Sequence, residues 1–332
     1  MSGDEPEHPF APYVRTLGRG PGRSRALSRE EARHALGAVL RGEAAPEQVG
    51  AFLMLLRYRG EAADEISGLV EAARNAFGPG APAGCPPVQL DWPSYGAGRT
   101  RGEPWFLLAA LALAARGTTI LMHGSNEFSH GTAVEAGLEA LGLPVCRTRD
   151  EAAAALRVRR FAYLPLAVLS PALDRLLTLR GLLGLRSPIN TVVRLINPFD
   201  APCSVDGVFH PPYIDVHLGA AERLGRERLA VVKGGGGEAE RNPAKPVNVH
   251  LWDRSAGRSE LLLPAQAPSG DAGTLLDAWR GGTGPGAATA RATVALALLA
   301  LGRADDAEAA DQLADAVWAA RLGAEAPVDA IA

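Results

Sequence analysis

The sequence predicts an α/β protein, with a small helical N-terminal domain ahead of a larger domain on a mostly parallel sheet. Three observations predict it. Residues 27–77 carry three successive apolar stripes at helical spacing. Residues 78–87, GPGAPAGCPP, interrupt the pattern with the composition of a linker. Beyond them, short apolar runs alternate with helical segments, which is the pattern of parallel strands covered on both faces. The domains read as a flexible arm over 1–26, a helical domain over 27–80 joined by helices from about 165–195, and an α/β domain over 85–332.

Each element has a local reason. Ser28 and Glu31 form a capping box ahead of Ala32, Ala35, Leu36, Val39 and Leu40, and Gly42 ends that helix. Pro46 suits a first helical turn before Val49, Phe52, Leu53 and Leu56, and Gly60 closes the stripe. Ile66, Leu69, Val70, Ala73 and Phe77 mark the third helix. In the second domain, strands are expected at Val88–Trp92, Thr118–Met122, from Val145, at Arg160–Leu164 and at Leu229–Lys233. Helices are expected at Trp105–Arg116, Thr132–Leu141, Asp150–Arg157, Pro171–Leu183, Ile214–Leu224, Thr289–Gly302 and Asp306–Arg321. Trp105–Arg116 is apolar all round and so reads as buried. Val205, Val208 and Phe209 read as an irregular connection.

Composition excludes several classes. A chain of 332 residues with 47% hydrophobic and 21% charged side chains is ordinary for a globular protein. The net charge of −3 gives no global attraction for nucleic acid or an anionic membrane, so any anion-binding surface is a local patch. Residues 85–260 are mildly basic, with 20 basic and 17 acidic side chains, whereas 261–332 carry 4 and 9. All basic residues but Lys233 and Lys245 are arginine, which fits a GC-rich coding bias as well as a need for bidentate phosphate contacts. Arg15, Arg19, Arg23 and Arg25 follow an acidic start and suit either a solvated arm or a polyanion contact. Cys85, Cys146 and Cys203 lie far apart without a CxxC, which argues against a disulfide framework or structural zinc. The start, MSGDEPEHPF, lacks an apolar h-region, and the longest apolar run is too short to span a bilayer. A soluble cytoplasmic protein without a membrane partner is expected.

The segment LSREEARHALGAVLRGEAAPEQVGAFLMLLRYRGEAADEISGLVEAAR resembles the N-terminal domain of the anthranilate phosphoribosyltransferase family, glycosyltransferase family 3. MHGSNEFSHGTAVEAGLEALG is similar to that family's His-Gly segment, and SPALDRLLTLRGLLGLRSPINTVVRLINP to its later Arg-bearing segment. VVKGGGGEAERNPAKP resembles the YbiB-like branch, an offshoot regarded as having lost transferase activity and as binding nucleic acid. The resemblance implies the nucleoside phosphorylase/phosphoribosyltransferase fold, a homodimer, and a site in the cleft between a helical and an α/β domain. The parent reaction moves phosphoribose from its pyrophosphate to an aromatic amine with magnesium, a hard cation that bridges phosphates.

Position by position, the resemblance weakens where that chemistry sits. The family's Gly-rich pyrophosphate loop corresponds to Ser94-Tyr95-Gly96-Ala97-Gly98-Arg99, where Gly96 and Gly98 suit a turn but Arg99 replaces the acid. The family's metal-binding Ser and phosphate-binding Thr correspond to Pro104, Trp105, Phe106 and Leu107, none with a side-chain oxygen to offer. His123 and Gly124 match the His-Gly loop, but Met122 replaces a Lys. Ser125, Asn126, Ser129 and Thr132 remain as neutral donors, and Lys233 with Gly234–Gly237 reads as a phosphate cradle or a flexible loop. The family's magnesium-binding Asp-Glu pair corresponds to Ala239 and Glu240, with Glu238 one position away. His123 fits a hydrogen-bonded structural histidine as well as a catalyst. Arg180, Arg186 and Asn190 match the acceptor segment, beside Arg175, Arg194 and the run 157–160.

No residue is assigned a catalytic role outright; His123 and Glu240 carry it if the protein is active. The expected function is a phosphoribosyltransferase-like protein without the parent activity, binding nucleic acid weakly and without sequence preference, or another polyanion, through an Arg-lined cleft. The alternative is an active magnesium-dependent transferase acting on phosphoribosyl pyrophosphate and an aromatic acceptor; a third reading is a sensor of a small phosphate at His123–Thr132. No cofactor is expected unless transfer survives, in which case magnesium is, with Glu240 as a ligand.

Overall fold

The computed structural model describes residues 7–20, 22–78, 80–96, 102–125, 127, 132–268, 270–271 and 273–322. In chain order its helices are α1 (Ala11–Gly18), α2 (Arg29–Leu40), α3 (Pro46–Arg59), α4 (Ala63–Phe77), α5 (Trp105–Ala115), α6 (Val134–Ala140), α7 (Arg149–Arg159), α8 (Leu166–Leu169), α9 (Pro171–Thr178), α10 (Arg180–Leu183), α11 (Ile189–Val192), α12 (Pro212–Arg223), α13 (Leu275–Gly281), α14 (Gly284–Ala300) and α15 (Ala307–Ala319). The strands are β1 (Leu90–Ser94), β2 (Ile120–Gly124), β3 (Phe161–Pro165), β4 (Cys203–Val208), β5 (Arg228–Lys233), β6 (Val247–Asp253) and β7 (Gly257–Leu263). The chain divides into two compact units, one from 1–78, 170–196 and 215–224, the other from 79–169, 197–214 and 225–332.

The helical unit forms because no single stripe can bury itself. Ser28 Oγ accepts the Glu31 N–H at 3.1 Å and the Glu31 carboxylate accepts the Ser28 N–H at 2.8 Å, so both halves of the capping box are made. Ala32, Ala35 and Leu36 of α2, Phe52, Leu53 and Leu56 of α3, and Ile66, Leu69 and Val70 of α4 are buried.

The α/β unit holds all seven strands in the order β3-β2-β1-β4-β5-β6-β7. The first five are parallel; β6 and β7 are antiparallel. Every residue of α5 is buried, as its all-round apolar pattern predicts, and α5 shares the core with Val294, Leu296 and Leu298 of α14. The α/β class with a mostly parallel sheet is therefore the observed one.

Several local expectations are corrected. The stretch 11–18, placed in the arm, is helix α1, because Phe10, Leu17 and Leu27 are buried and Phe10 packs edge-on against Phe52 at 5.5 Å. Residues 203–208 form a central strand rather than an irregular connection. Ser-Val-Asp-Gly is turn chemistry in isolation, but here it is flanked by β1 and β5 and its Ser204 hydroxyl donates to Asp91 at 3.5 Å. Val145 starts no strand: the Cys146 N–H donates to the Tyr163 carbonyl at 3.0 Å, a single bond rather than a ladder. Pro171–Leu183 is two short helices that meet at Leu179, not one. Among the described residues no helix is long and apolar enough to cross a membrane.

Candidate functional site

The five parallel strands bring their carboxyl ends to one edge, and the chain runs outward in opposite directions from β1 and β4. Open α/β sheets take their ligands in the crevice at such a switch point. Gly96 follows β1 there, Gly124 ends β2 with Ser125 after it, and Lys233 ends β5 with an exposed side chain. Thr132 lies further on, half-buried ahead of α6. Gly98, Asn126 and Ser129, together with Arg99, lie outside the described residues.

Backbone from the following segment fills part of this crevice. The chain leaving β5 makes a single 3₁₀ turn at Gly235–Gly237, and Gly236 has φ +66°. A Cβ on Gly207 would lie 2.1 Å from the carbonyl carbon of Glu238, and one on Gly234 would lie 1.6 Å from its oxygen. Glycine is required where the two backbones cross, so the glycine run serves a close crossing rather than a flexible loop. The Glu238 carboxylate is buried, and its Oε1 is only 2.5 Å from where a Cβ on Gly96 would be. The acid facing Gly96 is thus Glu238.

Glu240 has a different task. Its Oε2 accepts the Phe106 N–H at 3.0 Å. That N–H belongs to the first turn of α5, where helix donors lack partners and negative charge is favoured. Pro104 precedes α5, and Trp105, Phe106 and Leu107 are its first residues, all buried. Phe106 stacks on Trp92 with centroids 6.5 Å apart and planes at 24°. Magnesium asks for several hard oxygen ligands. Among the described residues no three His, Cys, Asp or Glu side chains are grouped to hold a metal. The α5 start supplies no side-chain oxygens and one Glu240 oxygen is taken by a backbone N–H, so the described residues lack the paired ligands that the family resemblance asks for.

His123 is completely buried in β2. Its Nδ1 stands 2.8 Å from the Tyr95 hydroxyl, and its Nε2 faces Asp91 Oδ1 at 3.2 Å, without the alignment of a hydrogen bond. The Tyr95 hydroxyl and Nδ1 share one hydrogen bond, whose direction follows the tautomer of the ring. Both ring nitrogens therefore face protein groups, and His123 does not present its ring to solvent. Gly124 follows because a Cβ there would lie 2.1 Å from the Ser94 carbonyl oxygen; the Ser125 N–H donates to that oxygen at 3.2 Å. Asp91 was missed in the sequence, although a lone acid inside the apolar run VQLDW is a visible signal.

Arg241, in the segment VVKGGGGEAERNPAKP, is structural. Its fully buried guanidinium donates to Asp311 at 2.6 Å and to the Pro264 carbonyl at 2.9 Å.

In the helical unit, Arg175 of α9 is exposed, while Arg180, which opens α10, and Arg186 are half-buried. Asn190 is buried and donates to the Ser187 carbonyl at 3.2 Å. Arg194 is turned inward, with its guanidinium on the Asn190 carbonyl. Arg157 belongs to the α/β unit and donates to the Gly84 carbonyl at 3.0 Å.

Comparison with known proteins gives a consistent picture. Residues 11–77 match the profile described as the glycosyl transferase family, helical bundle domain, and residues 106–269 match that of the family's a/b domain. The chain is 30% identical to an anthranilate phosphoribosyltransferase of Moorella thermoacetica, over 87% of this chain and 89% of the relative. It is 28% identical to the uncharacterized protein YbiB of Escherichia coli, over 78% and 84%. The crystal structure of anthranilate phosphoribosyltransferase from Thermus thermophilus superposes with a TM-score of 0.76 at 24% identity, covering 98% of each chain. The Saccharomyces cerevisiae enzyme in complex with PRPP and Mg gives 0.72 at 17% identity, over 98% of this chain and 99% of that one. At these identities the two structures establish a shared fold.

Proposed function

This chain belongs to the glycosyl transferase family of the anthranilate phosphoribosyltransferases, and from that premise we propose that it keeps the fold without the metal-dependent transfer and binds a phosphate-bearing polyanion, nucleic acid foremost. The observation that carries this reading is the Glu240 carboxylate on the Phe106 N–H. One contact joins the two positions where the family resemblance asks for magnesium ligands, and it uses the acid to hold a helix whose first turn is apolar. No reaction step through a metal is proposed.

The polyanion half of the reading draws on Arg175, Arg180 and Arg186, three guanidinium groups within one short run of the helical unit. Guanidinium groups pair with phosphate in a bidentate way and attract a nucleic-acid backbone without reading its sequence. The same reading includes a cytoplasmic homodimer. Fluorescence anisotropy with a labelled single-stranded oligonucleotide tests it. Binding should be measurable at about 50 mM salt and weaken steeply on raising salt, and Arg175→Glu should weaken it further. Absence of binding at low salt, or binding indifferent to salt, contradicts it.

The competing reading is an active phosphoribosyltransferase. It is favoured by the buried Glu238 carboxylate beside Gly96 at the switch point. Under it, Glu238→Gln removes turnover; under the reading preferred above there is no turnover to remove.

A further inference from the structure

Arg15, Arg19, Arg23 and Arg25, spread over eleven residues of sequence, line a single open cavity of about 380 Å³ at the end of α1. The segment that brings them together is held by its own backbone. The Arg23 and Ser24 N–H groups both donate to the Gly20 carbonyl, at 3.2 and 3.1 Å, and the Arg25 N–H returns to the Thr16 carbonyl at 3.3 Å. Gly20 and Gly22, at φ +86° and +78°, permit that turn.

Among the described residues no acidic side chain lines the cavity. Arg15 pairs with Glu7, and Arg25 pairs in a bidentate way with Glu31 at 2.6 Å, both at the surface. Exposed pairs of this kind are weak. Arg19 and Arg23 are exposed and have no acidic partner among the described residues. Ser24 adds a neutral hydroxyl. The cavity is therefore a concentration of positive charge in a chain whose net charge is −3. It exceeds by about tenfold the roughly 30 Å³ that one water takes up in the liquid, so it has room for more than one phosphate group.

We propose that this pocket is a binding site for linked phosphates, either the backbone of single-stranded nucleic acid or a short polyphosphate, held by Arg19 and Arg23 with Arg15 and Arg25 closing on it. The site is separate from Arg175–Arg186, and neither proposal requires the other.

Fluorescein-labelled dT20 and inorganic tripolyphosphate are the probes, used on the full chain. Arg19→Ala with Arg23→Ala should weaken dT20 binding about tenfold at 50 mM salt. It should also flatten the log K against log salt slope by about 1.4, that is about 0.7 for each lost single-strand contact. Charge reversal, Arg19→Glu with Arg23→Glu, should weaken it further. Both residues are exposed, and an unchanged thermal melt confirms that the variants fold. Tripolyphosphate that binds the wild type and competes with dT20, with both interactions lost in the double variant, identifies polyphosphate as a source. Loss confined to dT20 identifies the nucleic-acid backbone. A double variant whose isotherms superpose on the wild type overturns the proposal, even where Arg175→Glu weakens binding and the earlier reading stands. A wild type that binds neither probe overturns it as well.

Discussion

At the carboxyl edge of the sheet, His123 lies between Tyr95 and Asp91, Glu240 holds the Phe106 N–H, and the backbone at Glu238 crosses Gly207 and Gly234. In the helical unit, Arg19, Arg23 and Arg175 are exposed. His123, Glu238 and Glu240 in the first region face inward against other protein groups, whereas Arg19, Arg23 and Arg175 in the second face solvent. The comparison teaches that burial decides what a retained motif can do. The His-Gly match survives in β2, with its histidine buried.

If the sheet edge is as locked as this, breaking it should cost stability. The largest effect is expected from His123→Ala, which leaves a cavity beside the buried Asp91 and a buried Tyr95 hydroxyl without its Nδ1 partner. A loss of about 3–5 kcal/mol is expected in urea denaturation; a loss below about 1 kcal/mol would mean that the interior chain is loosely held. Gly207→Ala comes next, at about 3 kcal/mol, because the new methyl meets backbone that cannot rotate away. Glu240→Ala should cost about 1 kcal/mol through the uncapped start of α5. Glu240→Gln should cost less, since the amide oxygen still accepts the Phe106 N–H and only the charge is lost. A Gln variant as damaged as Ala would shift the weight from hydrogen bond to charge.

The smallest effect belongs to the helical unit. The Arg25 guanidinium, bonded to Glu31, holds its carboxyl at about 2, down from 4.5. The charged form is the one favoured by folding, so this contribution is complete above about pH 4.5 and fades as pH falls toward 2. For an exposed pair it is expected to stay under about 1 kcal/mol, and Arg25→Ala should remove that window from the acid limb of a pH-stability curve.

The features legible in the sequence were those written locally. Ser28 and Glu31 announce α2, and the unbroken apolar run of α5 announces a buried helix. What stayed hidden depends on contacts across the chain. Glu240 and Phe106 are separated by 134 residues, and no nearby residue signals their bond. β4 reads as an irregular connection because Asp206 and Gly207 are turn formers, yet the glycine is demanded there by the crossing of Glu238. The alternation in VNVHL is visible in the sequence and corresponds to the first strand of the β6–β7 hairpin, which was not among the expected elements.

The central claim, that the fold persists without its metal-dependent transfer, meets its most direct test in a single assay. Purified protein is mixed with phosphoribosyl pyrophosphate, anthranilate and magnesium, and pyrophosphate release is followed. No release above the uncatalysed background is predicted. Release that depends on magnesium and disappears in Glu238→Gln would contradict the account.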